Sequence, residues 1–373
     1  MKLTIFGQHP IPQGGFNGVM SLFEAIYFSR LGYDVTLAIP FKDKDEYQEL
    51  LQRNKIQSLN NLNKFNGRFE ITPIFPDGEN FNQCDVLIYQ SYNQSHWQMF
   101  WGMCCKRSRL RTKNFPKFVT SPYDLNLGHV IGQFSQFHVV ACALKEDVDM
   151  LDSDPNFKKQ FQDSYAYVPR GASAEMLHPG YKAGLPPTIG LDMPNNEGVD
   201  AVKQYLEALE RLRGDFPTLR VLTLGRELMG AEKIPYGRFD HIYENFFNNI
   251  HAYLSINYEH SPSHLNARVQ KEVYDWRKKA IYEVQNIEAQ MSGAVLVGHR
   301  DNLISELYSP GISGFNYRDY DNSENIYQLL KYIIQNRICL GNEARKFALK
   351  NFEWGNAIGK WSEAIQRKMQ TLK

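Results

Sequence analysis

No segment of this 373-residue chain approaches the ~18–20 uninterrupted apolar residues that a membrane span needs, so none is expected. The opening run Met1-Lys2-Leu3-Thr4-Ile5-Phe6-Gly7 is too short for a signal peptide and reads as a first strand. Cysteine is scarce. Cys84, Cys104, Cys105, Cys142 and Cys339 show no metal-ligand spacing, and their odd number argues against a disulfide framework. A reducing, cytoplasmic setting is therefore expected. His96, His129, His138 and His299 also lack metal-ligand spacing. Net charge is +1, which selects no class of partner. The composition is not of the disordered type: 43% of residues are hydrophobic, enough for two domains of ordinary size.

What is present reads as α/β. Residues 3–7 form an apolar strand that runs into a Pro- and Gly-rich loop containing Gly14, Gly15 and Asn17. A helical pattern follows from Val19 to Arg30, Gly32 ends it, and Tyr33–Ile39 is the next strand. This is a doubly wound β-loop-α-β unit, and glycines in such a loop let backbone N–H groups approach a phosphate or sugar. Further strands are expected at Cys84–Tyr89, Phe118–Thr120 and His138–Cys142. Residues 42–81 read as polar and partly surface, with one helical piece near Lys44–Arg53. After a polar, Pro-containing linker near 170–187 the pattern starts again, with strands near 188–191, 219–225 and 251–256. Residues 258–270 read as an irregular insertion leading into a helix from Glu272. The expected boundaries are 1–170, 171–350 and a C-terminal helix over 351–373 that crosses back to the first domain.

The chain is organised around Ile287-Glu288-Ala289-Gln290-Met291-Ser292-Gly293-Ala294-Val295-Leu296-Val297. It reads as the last turns of a helix, a Gly turn and a buried strand. Glu288 lies among small and apolar neighbours, where a carboxylate is seldom left without a partner. Downstream come Arg300, Asp301, Asn302, Glu306, Gly311 and Gly314. Polar groups and a second carboxylate at the end of such a strand are how an α/β sheet presents a ligand site.

These residues resemble the donor site of retaining GT-B glycosyltransferases. That family shows Glu, seven residues, Glu-Ala-Met-Ala-x-Gly-x-Pro-Val-Val, then a later Glu and Gly-x-x-Gly. Glu288, Gly293, Glu306, Gly311 and Gly314 match it, while the first Glu falls at Ala280 and Glu283 is the nearest substitute. The closer Glu spacing is similar to that of phage DNA α-glucosyltransferases, which decorate 5-hydroxymethylcytosine. The resemblance implies a GT-B fold, two Rossmann-like domains facing across a cleft, and transfer of a sugar from a nucleotide-diphosphate donor with retention. It implies no metal and no cofactor beyond the donor, expected to be a UDP-sugar. A phage-encoded enzyme would work in the host cytoplasm.

Residue roles follow from the resemblance. Glu288 would take a ribose diol, since a carboxylate accepts two hydroxyl hydrogens; the bland alternative is a helix carboxylate paired with a nearby cation. Gly14, Gly15, Asn17, Arg300, Asp301, Asn302 and Glu306 would complete the donor site, although Glu306 also suits a helix start. Asp124 and Glu283 are the candidate catalytic carboxylates, and Asp124 equally fits a turn after Pro122. The family's phosphate-neutralising Arg and Lys are missing from Gly190–Gly198, leaving Arg226, Arg277, Lys278, Lys279 and Arg300 as replacements.

Between Lys106 and Lys117 the chain carries six cations and no acid, preceded by Trp97 and Trp101. The run reads either as a solvated face or as an acceptor track, with Lys106, Arg107, Arg109 and Arg111 on phosphates and the tryptophans stacking on bases or sugars. A second cluster is Arg268, Lys271, Arg277, Lys278 and Lys279. Together they suggest duplex DNA as the partner, and the family resemblance implies hydroxymethylated cytosine as the acceptor. A cell-envelope glycan or lipid acceptor is the alternative, and a degenerate GT-B protein that binds without turnover is the non-enzymatic one.

Overall fold

The structure is a computed structural model. It describes residues 1–7, 16–41, 44–45, 47–48, 69–75, 84–89, 117–120, 138–161, 164–180, 182–193, 203–225, 227–235, 239–255, 282–299, 305–317 and 323–371. The chain forms two units, Met1–Pro169 with Trp354–Lys373, and Arg170–Glu353.

The first unit holds strands β1 (Lys2–Phe6), β2 (Asp34–Pro40), β3 (Phe69–Ile74), β4 (Val86–Tyr89), β5 (Lys117–Thr120), β6 (Val139–Cys142) and β7 (Tyr165–Tyr167). They make one seven-stranded sheet in the order β3-β2-β1-β4-β5-β6-β7, and every pairing is parallel. Helices α1 (Phe16–Arg30), α2 (Lys145–Asp152), α3 (Pro155–Phe161) and α9 (Trp354–Thr371) belong to this unit. Strands β4 and β6 are short apolar runs buried along their length, as a sheet covered on both faces requires. Helix α9 packs against α1: Phe23 stacks on Trp354 at 5.9 Å between ring centroids, and Tyr33 Oη and Ser362 Oγ share a buried hydrogen bond of 2.6 Å.

The second unit holds β8 (Thr188–Met193), β9 (Arg220–Gly225), β10 (Glu232–Ile234), β11 (Ala252–Ser255), β12 (Val295–His299) and β13 (Gly314–Tyr317). Its order is β10-β9-β8-β11-β12-β13, again all parallel. The helices are α4 (Lys203–Asp215), α5 (Phe239–Asn245), α6 (Tyr282–Met291), α7 (Ser323–Gln335) and α8 (Arg337–Phe352). In α7, Ile326, Tyr327, Leu330, Ile333 and Ile334 recur at helical spacing. They close one core with Tyr205, Leu209 and Leu212 of α4 and with Ile189, Leu254 and Val297 of the sheet. Both sheets follow doubly wound order, with the first strand beside the fourth. Such a reversal places the switch point between β1 and β4 in one unit and between β8 and β11 in the other.

Three expectations change. Residues 42–81 are not only polar surface, because Phe69–Ile74 is the edge strand β3. Its alternating burial and Pro73 disguise it, and proline is tolerated at an edge where one ladder is missing. The short strands β10 and β13 also escape a reading based on apolar runs, since Glu232-Lys233-Ile234 and Gly314-Phe315-Asn316-Tyr317 mix polar and apolar residues. The segment 170–187 is no solvated linker. Arg170, Ala172, Ser173, Leu177 and Lys182 are buried within the second unit, and Ala172 N–H donates to Phe352 O at 2.8 Å. Among the described residues no helix is long and apolar enough to cross a membrane, and no cluster of three or more His, Cys, Asp or Glu side chains could hold a metal ion.

Candidate functional site

Helix α6 and the turn after it form the most polar buried part of the second unit. Gln285, Asn286, Glu288, Gln290 and Ser292 are all buried. The hydroxyl of Tyr243 on α5 donates to Glu288 Oε1. Burial, reinforced by the neighbouring Glu288 charge and this bond, pushes the Tyr243 phenol well above its usual range, so it remains a donor. Tyr253 Oη donates to Gln285 Oε1 at 3.1 Å. Gln290 Nε2 donates to Leu307 O at 2.7 Å, which ties α6 to the short 3-10 turn Ser305–Leu307 that carries Glu306.

Asn286 differs. Its side-chain oxygen and nitrogen are both closed to solvent, and neither has a hydrogen-bond partner among the described residues. An orphaned buried amide costs free energy, and native structures seldom keep one without a use. Asn286→Leu keeps the volume and removes both unmet groups. We expect it to raise unfolding stability by about 1–2 kcal/mol in chemical denaturation. A loss of stability would show that the amide is satisfied in solution.

The C-terminal end of α6 is held by cations. Lys182 is buried, and its Nζ donates to Ser292 O at 2.6 Å, Ser292 Oγ at 3.3 Å and Phe247 O at 3.3 Å. Arg345 of α8 donates to Met291 O and also to Leu177 O at 2.5 Å and Ala174 O at 3.2 Å. Positive groups at the carbonyl end of a helix satisfy its last acceptors and oppose its dipole. Burial, with Arg345 nearby, holds the Lys182 amine well below its ordinary range. The turn itself needs Gly293, which has φ +81°. Its carbonyl oxygen would lie 2.6 Å from a Cβ added to Gly341, so α8 can approach this closely only through a second glycine.

Of the candidate catalytic and binding residues named from sequence, four lie on described elements. Asn17 is in the first turn of α1, and Glu283 is near the start of α6; only their backbone positions are described. Glu288 and Glu306 are the other two. Glu283 and Glu288 are five residues apart, roughly 140° around a helix, so they occupy different sides of α6. Glu283 shares its side with Asn286 and Gln290. Glu288 is 2% exposed and accepts from the Tyr243 hydroxyl. Gly14, Gly15, Trp97, Trp101, Lys106, Arg107, Arg109, Arg111, Asp124, Arg300, Asp301 and Asn302 lie outside the described residues. So do the replacement cations Arg226, Arg277, Lys278 and Lys279.

Sequence reasoning missed Tyr243, Asn286, Lys182 and Arg345. A signal existed for Asn286: a polar residue between Val284 and Ile287 in a helix with no solvent-facing side. Lys182 and Arg345 gave none, because they reach α6 from 110 and 54 residues away.

Two doubly wound parallel units in one chain define the fold of the GT-B glycosyltransferases. No family model matches the sequence, and no curated protein matches it either. Solved structures do match over the whole chain. A glycosyltransferase from Rickettsia africae is 14% identical, with 99% of each chain covered and a TM-score of 0.60. Anabaena HepE in complex with UDP and glucose is 11% identical, covering 98% of this chain and 100% of that one, at 0.58. An alpha-glucosyltransferase in complex with UDP and a 13-mer DNA is 11% identical, with 99% of each covered, at 0.56. At these identities the likeness is one of fold.

Proposed function

We propose that this chain is a retaining glycosyltransferase that moves a sugar from a UDP-sugar to an acceptor hydroxyl, with 5-hydroxymethylcytosine in phage DNA as the acceptor. The observation that carries the reading is the full-length likeness to structures that include proteins bound to UDP, one of them also to DNA. In this reading the second unit holds the donor. Glu288 on α6 accepts hydroxyls of the nucleotide ribose, with Tyr243 fixing its carboxylate. Glu306, Arg300, Asp301, Asn302, Gly14, Gly15 and Asn17 are the other donor-binding residues of this reading. No metal takes part. A cation among Arg226, Arg277, Lys278, Lys279 and Arg300 neutralises the leaving group.

The reaction forms a bond between the acceptor oxygen and the anomeric carbon as the bond from that carbon to UDP breaks. Asp124 orients the acceptor hydroxyl and takes its proton, and Glu283 steadies the sugar. Lys106, Arg107, Arg109 and Arg111 hold acceptor phosphates, with Trp97 and Trp101 stacking beside the reacting base.

A donor-hydrolysis screen across nucleotide sugars, with and without hydroxymethylated duplex, tests the reading. Turnover of a UDP-sugar stimulated by that duplex is expected, with NMR of the product showing the donor's anomeric configuration. Turnover on a cell-envelope glycan alone would replace the acceptor, and an absence of turnover with UDP bound would leave a binding protein. Glu288→Ala is expected to weaken UDP binding by roughly 1–3 kcal/mol in calorimetry, the loss of hydrogen bonds to a charged acceptor. Unchanged affinity in a folded variant would remove the ribose role.

A further inference from the structure

Most polar side chains buried on α6 and the turn after it find a partner within the protein. Gln285 accepts from Tyr253, Glu288 accepts from Tyr243, and Ser292 donates to Ala289 O while accepting from Lys182. Asn286 and Gln290, 1% and 0% exposed, differ. Among the described residues Asn286 is the one buried side-chain amide with both polar atoms unpartnered, and Gln290 Oε1 has no partner either. Gln290 Nε2 is committed, donating to Leu307 O at 2.7 Å and to Asn286 O at 3.2 Å. Those two carbonyls fix the amide with its nitrogen toward them, so its oxygen is the unmet atom. Residues four apart lie on one side of a helix, and here that side meets the turn Ser305–Leu307.

The unmet atoms define what would satisfy them. Asn286 Nδ2 needs acceptors, while Asn286 Oδ1 and Gln290 Oε1 need donors. A phosphate offers acceptors alone and would set its charge against two carbonyl oxygens. A metal ion offers nothing to Nδ2, and an apolar group leaves all three atoms unmet. Neighbouring hydroxyls of a neutral polyol both donate and accept. The position agrees. Helix α6 joins the parallel strands β11 and β12, so it runs opposite to them with its amino end over their carboxyl ends. Open parallel sheets bind their ligands at that end, and Asn286 is only the fifth residue of the helix. The far end of α6 is closed, because Arg345 and Lys182 bond the carbonyls of Met291 and Ser292 and Gly341 packs on Gly293.

We propose that the Asn286 amide, backed by the Gln290 carbonyl, is the specificity-determining reader of the donor's sugar, taking two neighbouring hydroxyls of the hexose. One hydroxyl accepts from Asn286 Nδ2, and hydroxyl hydrogens go to Asn286 Oδ1 and Gln290 Oε1. Both amides are closed to solvent, so filling the subsite moves the turn Ser305–Leu307 off α6, against the bond from Gln290 to Leu307. That the hydroxyls belong to a donor sugar rests on the function proposed above; the match of the unmet atoms to a polyol does not.

The test is calorimetry of UDP and of a panel of UDP-hexoses on wild type and Asn286→Leu, with thermal shifts by free monosaccharides on the same proteins. The leucine variant is expected to bind UDP as the wild type does. It should bind the panel's tightest UDP-hexose about ten- to a hundredfold more weakly, the loss of two or three hydrogen bonds. It should also discriminate less between hexoses that differ in one hydroxyl, while folding at least as stably as the wild type. Asn286→Ala carries the same comparison if the leucine variant does not fold. A folded variant with wild-type affinity for every ligand overturns the proposal. So does an equal loss for UDP and UDP-hexose, which would make the amide a support of the nucleotide site or of the fold. If the wild type binds no nucleotide but is stabilised by a monosaccharide that leaves the variant unmoved, the sugar subsite stands and the donor reading fails. If nucleotide, nucleotide sugar and monosaccharide all leave the wild type unmoved, both fall.

Discussion

Arg345→Ala is expected to cost the second unit about 3–4 kcal/mol of stability, the loss of several hydrogen bonds from one charged group in a half-buried site. The guanidinium donates to Met291 O, Leu177 O and Ala174 O, from two separate stretches of chain. Alanine leaves those carbonyls without their donor, and water reaches only some of them. Burial lowers the guanidinium from its usual range, but an arginine remains charged at any pH of interest. Arg345→Lys should recover only a minor part of the loss. An ammonium is a point donor on a flexible stem and cannot span acceptors that a planar fork reaches together. Urea denaturation followed by circular dichroism checks both variants, with an unchanged denaturant slope as evidence that the unfolded state is unaffected. A loss below about 1 kcal/mol for the alanine variant would mean that the neighbouring Lys182 contacts suffice to close the helix end.

The same site shows what a linear sequence discloses. Ala294-Val295-Leu296-Val297 reads as a buried strand and is one, because an apolar run covered on both faces has few other uses in an α/β chain. Glu288 stands out for the opposite reason: a carboxylate in an apolar stretch needs a partner. Its partner is not legible. Tyr243 sits on α5, 45 residues earlier, and nothing in Phe239–Asn245 marks one tyrosine among several aromatics as a hydrogen-bond donor. Lys182 is harder still. In sequence it belongs to a polar stretch with Gly180, Gly184 and three prolines, and it reads as solvated. In the fold it is the buried donor to Ser292 and Phe247. Periodicity and composition report how a segment meets solvent on average. They carry no information about a single long side chain that enters a core from a loop. The edge strand β3 fails for a related reason, since its alternating pattern was diluted by the Asn-rich segment before it.

Acid should unfold the second unit through His251. The imidazole is buried between the 3-10 turn Lys182–Gly184 and the sheet: Thr188 N–H donates to its Nδ1 at 3.1 Å, and its Nε2 lies 3.0 Å from Lys182 O. That pair of bonds defines a neutral ring with the proton on Nε2, because a protonated Nδ1 could not accept from Thr188. Burial pushes the His251 pKa from 6.5 down to about 4, and the positive charges of Lys182 and Arg337 act in the same direction. In the unfolded chain the ring takes a proton as pH falls through about 6.5. In the folded chain it stays neutral until about pH 4. Within that window the unfolded state binds more protons, so stability declines as pH falls, by roughly 1.4 kcal/mol per pH unit at most. The total from this residue is on the order of 3 kcal/mol, fully present above the unfolded value and lost by about pH 4. His251→Asn removes the titration and also the bond to Thr188, so the variant is less stable than wild type at pH 7.5. The diagnostic is the difference between the two proteins. It should shrink steadily from about pH 6.5 to about pH 4 and level off below, in urea denaturation at matched ionic strength. A difference that stays constant through that window would mean that His251 is already protonated in the folded protein, or that water reaches it.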